Sequence, residues 1–474
     1  MVGMKLYNTL TRKLEDFVPF EDGKATFYHC GPTVYWTQHI GNLRGMTMGD
    51  ILVRTLRRFG YHVTHVRNYT DVGHLTSDAD TGEDKMEKGA KREGLTPDAI
   101  AEKYITIFED DTKSLNLVEP NFKPRPSQLI PEIIEMVKIL MDKGFAYATD
   151  YAVYFDVSKF PNYTKLSRQK LDQNVGGAGK GEAEDPKKKH FSDFALWIFK
   201  KGSHANALQT WDSPWGVGFP GWHIECSVMA KKYLGNTVDI HMGGVEHIPI
   251  HHTNEIAQSE SANGVAFVRY WLHNEHLVVN QEKMAKSKGT GLSVAEVEER
   301  GFDPLALRYL YLTAHYRTRQ NFTWEALGGA QSSLNELRAR ISNIKNQISN
   351  RKTLSQEKLE KVDTYRKQFD AALAGDLNTP QALAVVWEAL KSNIPSQDKY
   401  DVLLDFDEVL GLRLAAGDWE HGTAEIPDEV TKLGEQLDAL RKTKKFIEAD
   451  AVRTKIISEG FKVETTPHGT KITK

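Results

Sequence analysis

The chain has 474 residues, 40% hydrophobic and 26% charged, with a formal net charge of −3 and only two cysteines. That balance fits a globular protein of about three or four folding units. It excludes a disulfide framework and a global basic field for nucleic acid, and no apolar run approaches the ~18 residues of a membrane-spanning helix. The start, MVGMKLYNTLTRKLEDF, has scattered charges and no apolar core of a secretory signal, so a reducing, cytoplasmic location is expected.

In chain order, ATFYHC reads as a strand, GNLRGMTMGDILVRTLRRFG as an amphipathic helix ending at Gly60, and YHVTHVRNYT as a second strand. Strand, helix and strand in that order make a βαβ unit and predict a parallel sheet covered by helices. A Pro-rich stretch from Glu119 to Pro126 precedes a helix, IPEIIEMVKILMDKGF, and a strand, YAVYFDV. DQNVGGAGKGEAEDPKKKH has glycines and charge blocks without apolar period and reads as a loop. Strand and helix patterns resume near Thr210 and continue to about Tyr270, so the intervening residues read as an insertion splitting one α/β domain. After Asn321 the pattern turns helical, and in DLNTPQALAVVWEALK either Asn378 or Thr379 can cap a helix with Pro380 in its first turn. Two more helices and a small hairpin, FKVETTPHGTKITK, close the chain. From Lys432 to Lys474 there are ten Lys or Arg against six Asp or Glu, a local excess of +4.

The expected fold class is therefore α/β: a Rossmann-type parallel-sheet domain split by an insertion, followed by an all-α helical bundle and a small C-terminal α+β domain. The boundaries are 1–119 and 207–270 for the two halves, 120–206 for the insertion, 271–322 for the region after the second half, 323–418 for the bundle and 425–474 for the last domain.

Two motifs speak of phosphate. HIGN (His39 to Asn42) lies between the first strand and helix, where a helix N-terminus offers free N–H groups and a positive dipole end. Gly41 permits close approach of a nucleotide, and His39 can hydrogen-bond a phosphate. EKMAKSKGTG (Glu282 to Gly291) carries Lys283 and Lys286 in a glycine-bounded loop suited to the charge of a leaving pyrophosphate. Together and in this order they resemble the HIGH and KMSKS motifs of class I aminoacyl-tRNA synthetases. Asn42 stands where that family often has a second histidine, and Ala285 replaces the first serine.

The cysteines point to a metal. Cys30 ends the first strand, Cys226 lies in PGWHIECSVMA, and HHTNEIAQSE reads as a helix with His251 and Glu255 four apart on one face. Cys30, Cys226, His251 and Glu255 make a tetrahedral zinc set of thiolate, imidazole and carboxylate. His252 is an alternative to His251, which is preferred because it shares a face with Glu255.

HCGPTVY, VRNYTDV, DFALW, PGWHIECS, DIHMGG, HHTNEIAQS, KMAKSKG, HYRTRQNF and DLNTPQAL, in this order, resemble the cysteinyl-tRNA synthetase family over essentially the whole chain. The resemblance implies ATP-dependent transfer of L-cysteine to cysteine tRNA. It implies one zinc per chain, on the four residues above, that takes the substrate sulfur, and Mg²⁺ with ATP. It implies that Thr70 and Trp222 line the amino-acid pocket, that Gly41, Gly243, Gly244, Glu246 and Lys286 hold ATP, and that His39, Asn42, Lys283 and Lys286 stabilise phosphate charge. Glu246 stands where aspartate is usual. It also implies that the insertion (120–206) and the C-terminal domain bind tRNA, 425–474 reading the anticodon, and that 271–322 contacts the stem; a monomer without membrane partners is expected. Two other readings are a cysteine ligase acting on an amino sugar and a non-catalytic tRNA-binding paralogue.

Overall fold

The chain enters through an antiparallel hairpin of β1 (Lys5–Asn8) and β2 (Lys13–Asp16), two strands too short to leave a sequence pattern. Asn8 ties it down, donating to the Arg269 carbonyl at 2.8 Å and accepting from the Trp271 N–H at 3.2 Å. Then come β3 (Lys24–His29), α1 (Ile40–Arg58) and β4 (His62–Arg67), the expected βαβ unit. Helix α1 is buried over most of its circumference, and Leu43, Ile51, Leu52 and Leu56 each contribute about 1.5–3 kcal/mol of transfer free energy. Arg57 and Arg58 sit at its last turn, where the dipole favours cations. The computed structural model describes residues 3–73, 75, 84–170, 185–279, 282–283, 291–348, 355–415, 428–443, 445–458, 461–466 and 469–473.

Helices α2 (Lys85–Glu93) and α3 (Pro97–Ser114) start at Asp84 and Thr96, whose side chains accept first-turn N–H groups. After α4 (Ile130–Asp142), four short strands, β5 (Ala146–Ala148), β6 (Ala152–Phe155), β7 (Phe194–Phe199) and β8 (Gly218–Pro220), form an antiparallel sheet in that order. Of the predicted loop, 172–184 lies outside the described residues.

The second half follows with α5 (Trp222–Leu234), β9 (Val238–Gly244), α6 (His251–Asn263) and β10 (Val268–Asn274). The main sheet runs β10-β9-β3-β4 with every neighbouring pair parallel. From β3 the chain winds one way to β4 and later the other way through β9. The carboxyl ends of β3 and β9 therefore mark the switch point, where open α/β sheets form their ligand crevice.

Next comes a three-stranded sheet of β11 (Leu277–Val279), β12 (Glu282–Lys283) and β13 (Gln320–Phe322), with α7 (Val294–Glu299) and α8 (Pro304–Leu312) between its last two strands. Helices α9 (Trp324–Asn346), α10 (Gln356–Ala374), α11 (Thr379–Lys391) and α12 (Ser396–Leu410) follow. Asn378 is the cap of α11, accepting from the Gln381 N–H at 3.2 Å. Phe369 of α10 stacks on Phe406 of α12 at 4.1 Å. Buried Arg308 of α8 pairs with Asp50 of α1 and donates to the carbonyls of Leu115 and Leu410.

Residues 1–336 and 352–412 form one compact unit, 337–351 and 413–474 another. The second contains α13 (Asp428–Lys442), α14 (Phe446–Ser458) and the hairpin β14 (Lys462–Thr466) and β15 (Gly469–Thr473) around Val430, Leu437, Ala449, Ile456, Phe461 and Val463. Asp438 accepts from both the N–H (2.9 Å) and the hydroxyl (2.6 Å) of Thr470, fixing the hairpin on α13.

Candidate active site and metal centre

A cavity of about 830 Å³ opens at the switch point. Among the sequence-predicted residues, Cys30, His39, Gly41, Asn42, Thr70, Trp222, Cys226, Gly243, Gly244, Glu246 and His251 all line it. Glu255 lies fully buried one turn behind His251 on α6. Lys286 and the side chain of Lys283 lie outside the described residues, but the backbone on both sides of their segment is bonded to residues that adjoin the lining residues Leu277 and His39. Lys283 pairs with Val278 of β11, and the Leu292 carbonyl accepts from the Ile40 N–H at the head of α1 at 2.8 Å.

His39 is the N-cap of α1, with Nδ1 accepting from the Asn42 N–H at 3.2 Å. Asn42 Nδ2 donates to Oε1 of Gln38, 2.5 Å away, and Gln38 Nε2 donates to the carbonyls of Thr33 and Trp36. The neutral amide at the second-histidine position is thus held by a side chain one turn earlier. Thr70 lies three residues beyond β4 in a bridge to Thr33, and Asn68 Nδ2 donates to its hydroxyl at 3.1 Å. Gly31 is required by packing: a Cβ there would lie 1.7 Å from the Asn68 carbonyl oxygen. Trp222 opens α5 with its ring 4.2 Å from the His251 ring. Glu246 Oε2 is 3.6 Å from His276 Nδ1.

At the floor, one donor atom each from Cys30, Cys226, His251 and Glu255 lies within 4.8 Å of the others. Bonds of roughly 2.0–2.3 Å to a tetrahedral zinc require ligand separations of the same order. A second set, Cys30, His241, His252 and Glu255, meets the same distance limit. Glu255 Oε1 is 3.1 Å from His251 Nε2, 3.7 Å from His241 Nε2 and 3.9 Å from His252 Nε2. Cys226 and His251 face the cavity, whereas His241 and His252 do not line it.

The electrostatics suit a cation. Burial pushes the Cys30 thiol up, while Cys30 hydrogen-bonds to Cys226 and holds the latter well below its usual range. Burial raises the Glu255 carboxyl to about 8. Burial works to lower His251, but Glu255 and Cys226 outweigh it and hold the ring up to about 10. Two thiols, a carboxyl and an imidazole packed together out of water form a soft donor set whose protons a divalent ion can displace.

The lining also holds residues that sequence reasoning missed. Lys85, Lys88 and Arg92 stand at i, i+3 and i+7 on α2, one helical stripe. Arg92 lies 3.6 Å over the Trp36 ring. Their spacing was the available signal. Gln38, adjoining HIGN, was a second.

Residues 16–332 match the family described as tRNA synthetases class I (C) catalytic domain. Among solved structures, a Mycobacterium tuberculosis methionyl-tRNA synthetase in complex with methionyl-adenylate is similar with TM-score 0.55 and 14% identity over 82% of this chain and 90% of its own. The ternary complex of Agrobacterium radiobacter K84 agnB2 LeuRS, tRNA and LeuAMS is similar with TM-score 0.60 and 11% identity over 86% of each chain. Fold and site thus define a class I tRNA synthetase. Cysteine–tRNA ligase 1 of Burkholderia lata is 43% identical over 99% of this chain and 96% of its own, and cysteine–tRNA ligase of Treponema denticola is 42% identical over 98% of each. The chain belongs to the cysteine–tRNA ligase family.

Proposed function

We propose that the chain activates L-cysteine with ATP to cysteinyl-adenylate and pyrophosphate, then transfers the cysteinyl group to the 3′ end of cysteine tRNA. The observation that carries this reading is a buried Cys/His/Glu donor set opening into the same cavity as the N-terminus of α1. No protein nucleophile is needed, since the substrate carboxylate attacks the α-phosphate in line. His39 and Asn42 at the head of α1, with Lys283 and Lys286, would meet the developing phosphate charge, and Mg²⁺ would accompany ATP. Gly41, Gly243 and Gly244 would let ATP approach the backbone, with Glu246 near its ribose and adenine.

Cys30, Cys226, His251 and Glu255 would hold one zinc, because Cys226 and His251 face the substrate space. Bound there, zinc supplies a soft Lewis acid for the substrate thiolate. Thr70 and Trp222 would close the pocket around the amino acid. Shape separates cysteine from serine by only ~1–3 kcal/mol, so selectivity would rest on sulfur's preference for the metal. Residues 120–206 would be the connective insertion, 271–322 the stem-contact region, 323–418 the helical bundle and 425–474 the anticodon reader. We take the chain to act as a monomer in the cytoplasm. Among the described residues no helix is long and apolar enough to cross a membrane.

The test is transfer of labelled L-cysteine to unfractionated tRNA with ATP and magnesium. Charging is the expected outcome and removes both the amino-sugar ligase and the non-catalytic paralogue. Absence of charging, with tRNA shown competent with another enzyme, would overturn the reading.

A further inference from the structure

Cys30 is the one sulfur that both candidate donor sets share, and its surroundings distinguish them. Its Sγ lies 3.3 Å from Nε2 of His241 and 3.3 Å from Nε2 of His252. Behind His252, Nδ1 lies 2.7 Å from Nε2 of His273, whose own Nδ1 lies 2.8 Å from the Thr9 hydroxyl. Every member of this chain is buried: Thr9 is 4% exposed, His273 4% and His252 0%.

We propose that His241 and His252 are positioning residues that donate N–H hydrogen bonds to the Cys30 thiolate rather than metal ligands, and that Thr9 and His273 fix His252 in the donating tautomer. The inference rests on the zinc reading above and deepens it. Two imidazole nitrogens 2.7 Å apart need one donor and one acceptor between them. The chain can therefore point only two ways. In one, Cys30 S–H donates to His252 Nε2, His252 Nδ1–H donates to His273 Nε2, and His273 Nδ1–H donates to Thr9. In the other, Thr9 O–H donates to His273 Nδ1, His273 Nε2–H to His252 Nδ1, and His252 Nε2–H to the sulfur.

A metal-bound thiolate carries no proton, so only the second direction is compatible with Cys30 as a ligand. N–H donation withdraws charge from the sulfur and orients its lone pairs. That leaves a metal with two thiolates and a carboxylate more able to accept a further sulfur. His241, stacked on Trp271 at 4.6 Å, supplies the second donor from β9. The relay is absent from the cavity lining, which fits a supporting rather than a substrate-binding part.

The test uses the full-length protein and four variants: His252→Gln, whose amide N–H can reach the same sulfur, His252→Phe, His273→Leu and Thr9→Val. Zinc per chain, zinc affinity by chelator competition, and the cysteine-to-serine ratio in ATP–pyrophosphate exchange are measured for each. All four are expected to keep one zinc per chain. His252→Phe should weaken zinc binding by about 10-fold or more and lower the ratio, with Gln restoring most of both. His273→Leu and Thr9→Val should shift them the same way by smaller factors. Loss of zinc stoichiometry in both His252 variants would make His252 a ligand and overturn the proposal. Unchanged affinity in His273→Leu and Thr9→Val would overturn the relay even if a His252 variant fails to fold. Retention of zinc by Cys226→Ser would instead sink the underlying ligand set.

Discussion

Cys30 hydrogen-bonds to the Cys226 thiol and, outweighing the burial that works the other way, holds it well below its usual range. A serine there keeps the size but neither the softness nor the acidity. Cys226→Ser is expected to lose zinc and cysteine–serine discrimination together, measured by metal content and by exchange with each amino acid. Elsewhere a single carboxyl sets a pH dependence. Burial, with Glu298 and Asp110 nearby, raises Asp111 of α3 to about 7. A raised acid stabilises the fold only while the native state holds its proton, so this contribution is lost as pH climbs from the unfolded value near 4 through 7. Asp111→Asn should therefore raise the unfolding free energy more at pH 8 than at pH 5, by a difference on the order of 1–2 kcal/mol. An equal gain at both pH values would show that the carboxyl is not desolvated.

Helix α1 carries HIGN at its head and is held along its length by side chains from far away. Asp50 pairs with Arg308 of α8, and Arg58 pairs with Asp370 of α10 and Asp405 of α12. Removing Arg308 leaves Asp50 with Arg54 as its one ion-pair partner and strips the buried Leu115 and Leu410 carbonyls of their donor, so Arg308→Met should cost about 3 kcal/mol, read from a urea midpoint. Its double mutant with Asp50→Asn should recover part of that loss. The βαβ unit was legible because α1 is a long helix rich in apolar residues and β3 and β4 are six residues each. Likewise His251 and Glu255 were legible because helical spacing alone puts them on one face. The hairpin of β1 and β2 was not: two four-residue strands with exposed charges gain their stability from Asn8 and β10, hundreds of residues away. Nor was the role of Gln38, whose value to Asn42 depends on a hydrogen bond at an N-cap rather than on a hydrophobic period. The Lys85, Lys88 and Arg92 stripe was in the spacing but led nowhere until the cavity showed what it faces.

At the scale of the whole molecule, the lining of the cavity comes entirely from the first compact unit, while the basic excess of the chain end lies in the second. A chain ending at Leu414 is therefore expected to keep cysteine-dependent ATP–pyrophosphate exchange within a few-fold while losing most tRNA charging. Equal loss of both would mean that the second unit is needed for the first to fold. The switch point has a further consequence in time. Cys30 is made 196 residues before Cys226 and 221 before His251. At about 5–20 residues per second, the first thiol waits roughly 10–40 s on the ribosome before its partner exists. During that interval the nascent chain presents a lone, oxidisable cysteine at the end of a finished βαβ unit, and metal capture cannot occur until the later half has docked. On the zinc reading proposed above, metal supply and thiol protection would bear on the yield of this protein while it is still being synthesised.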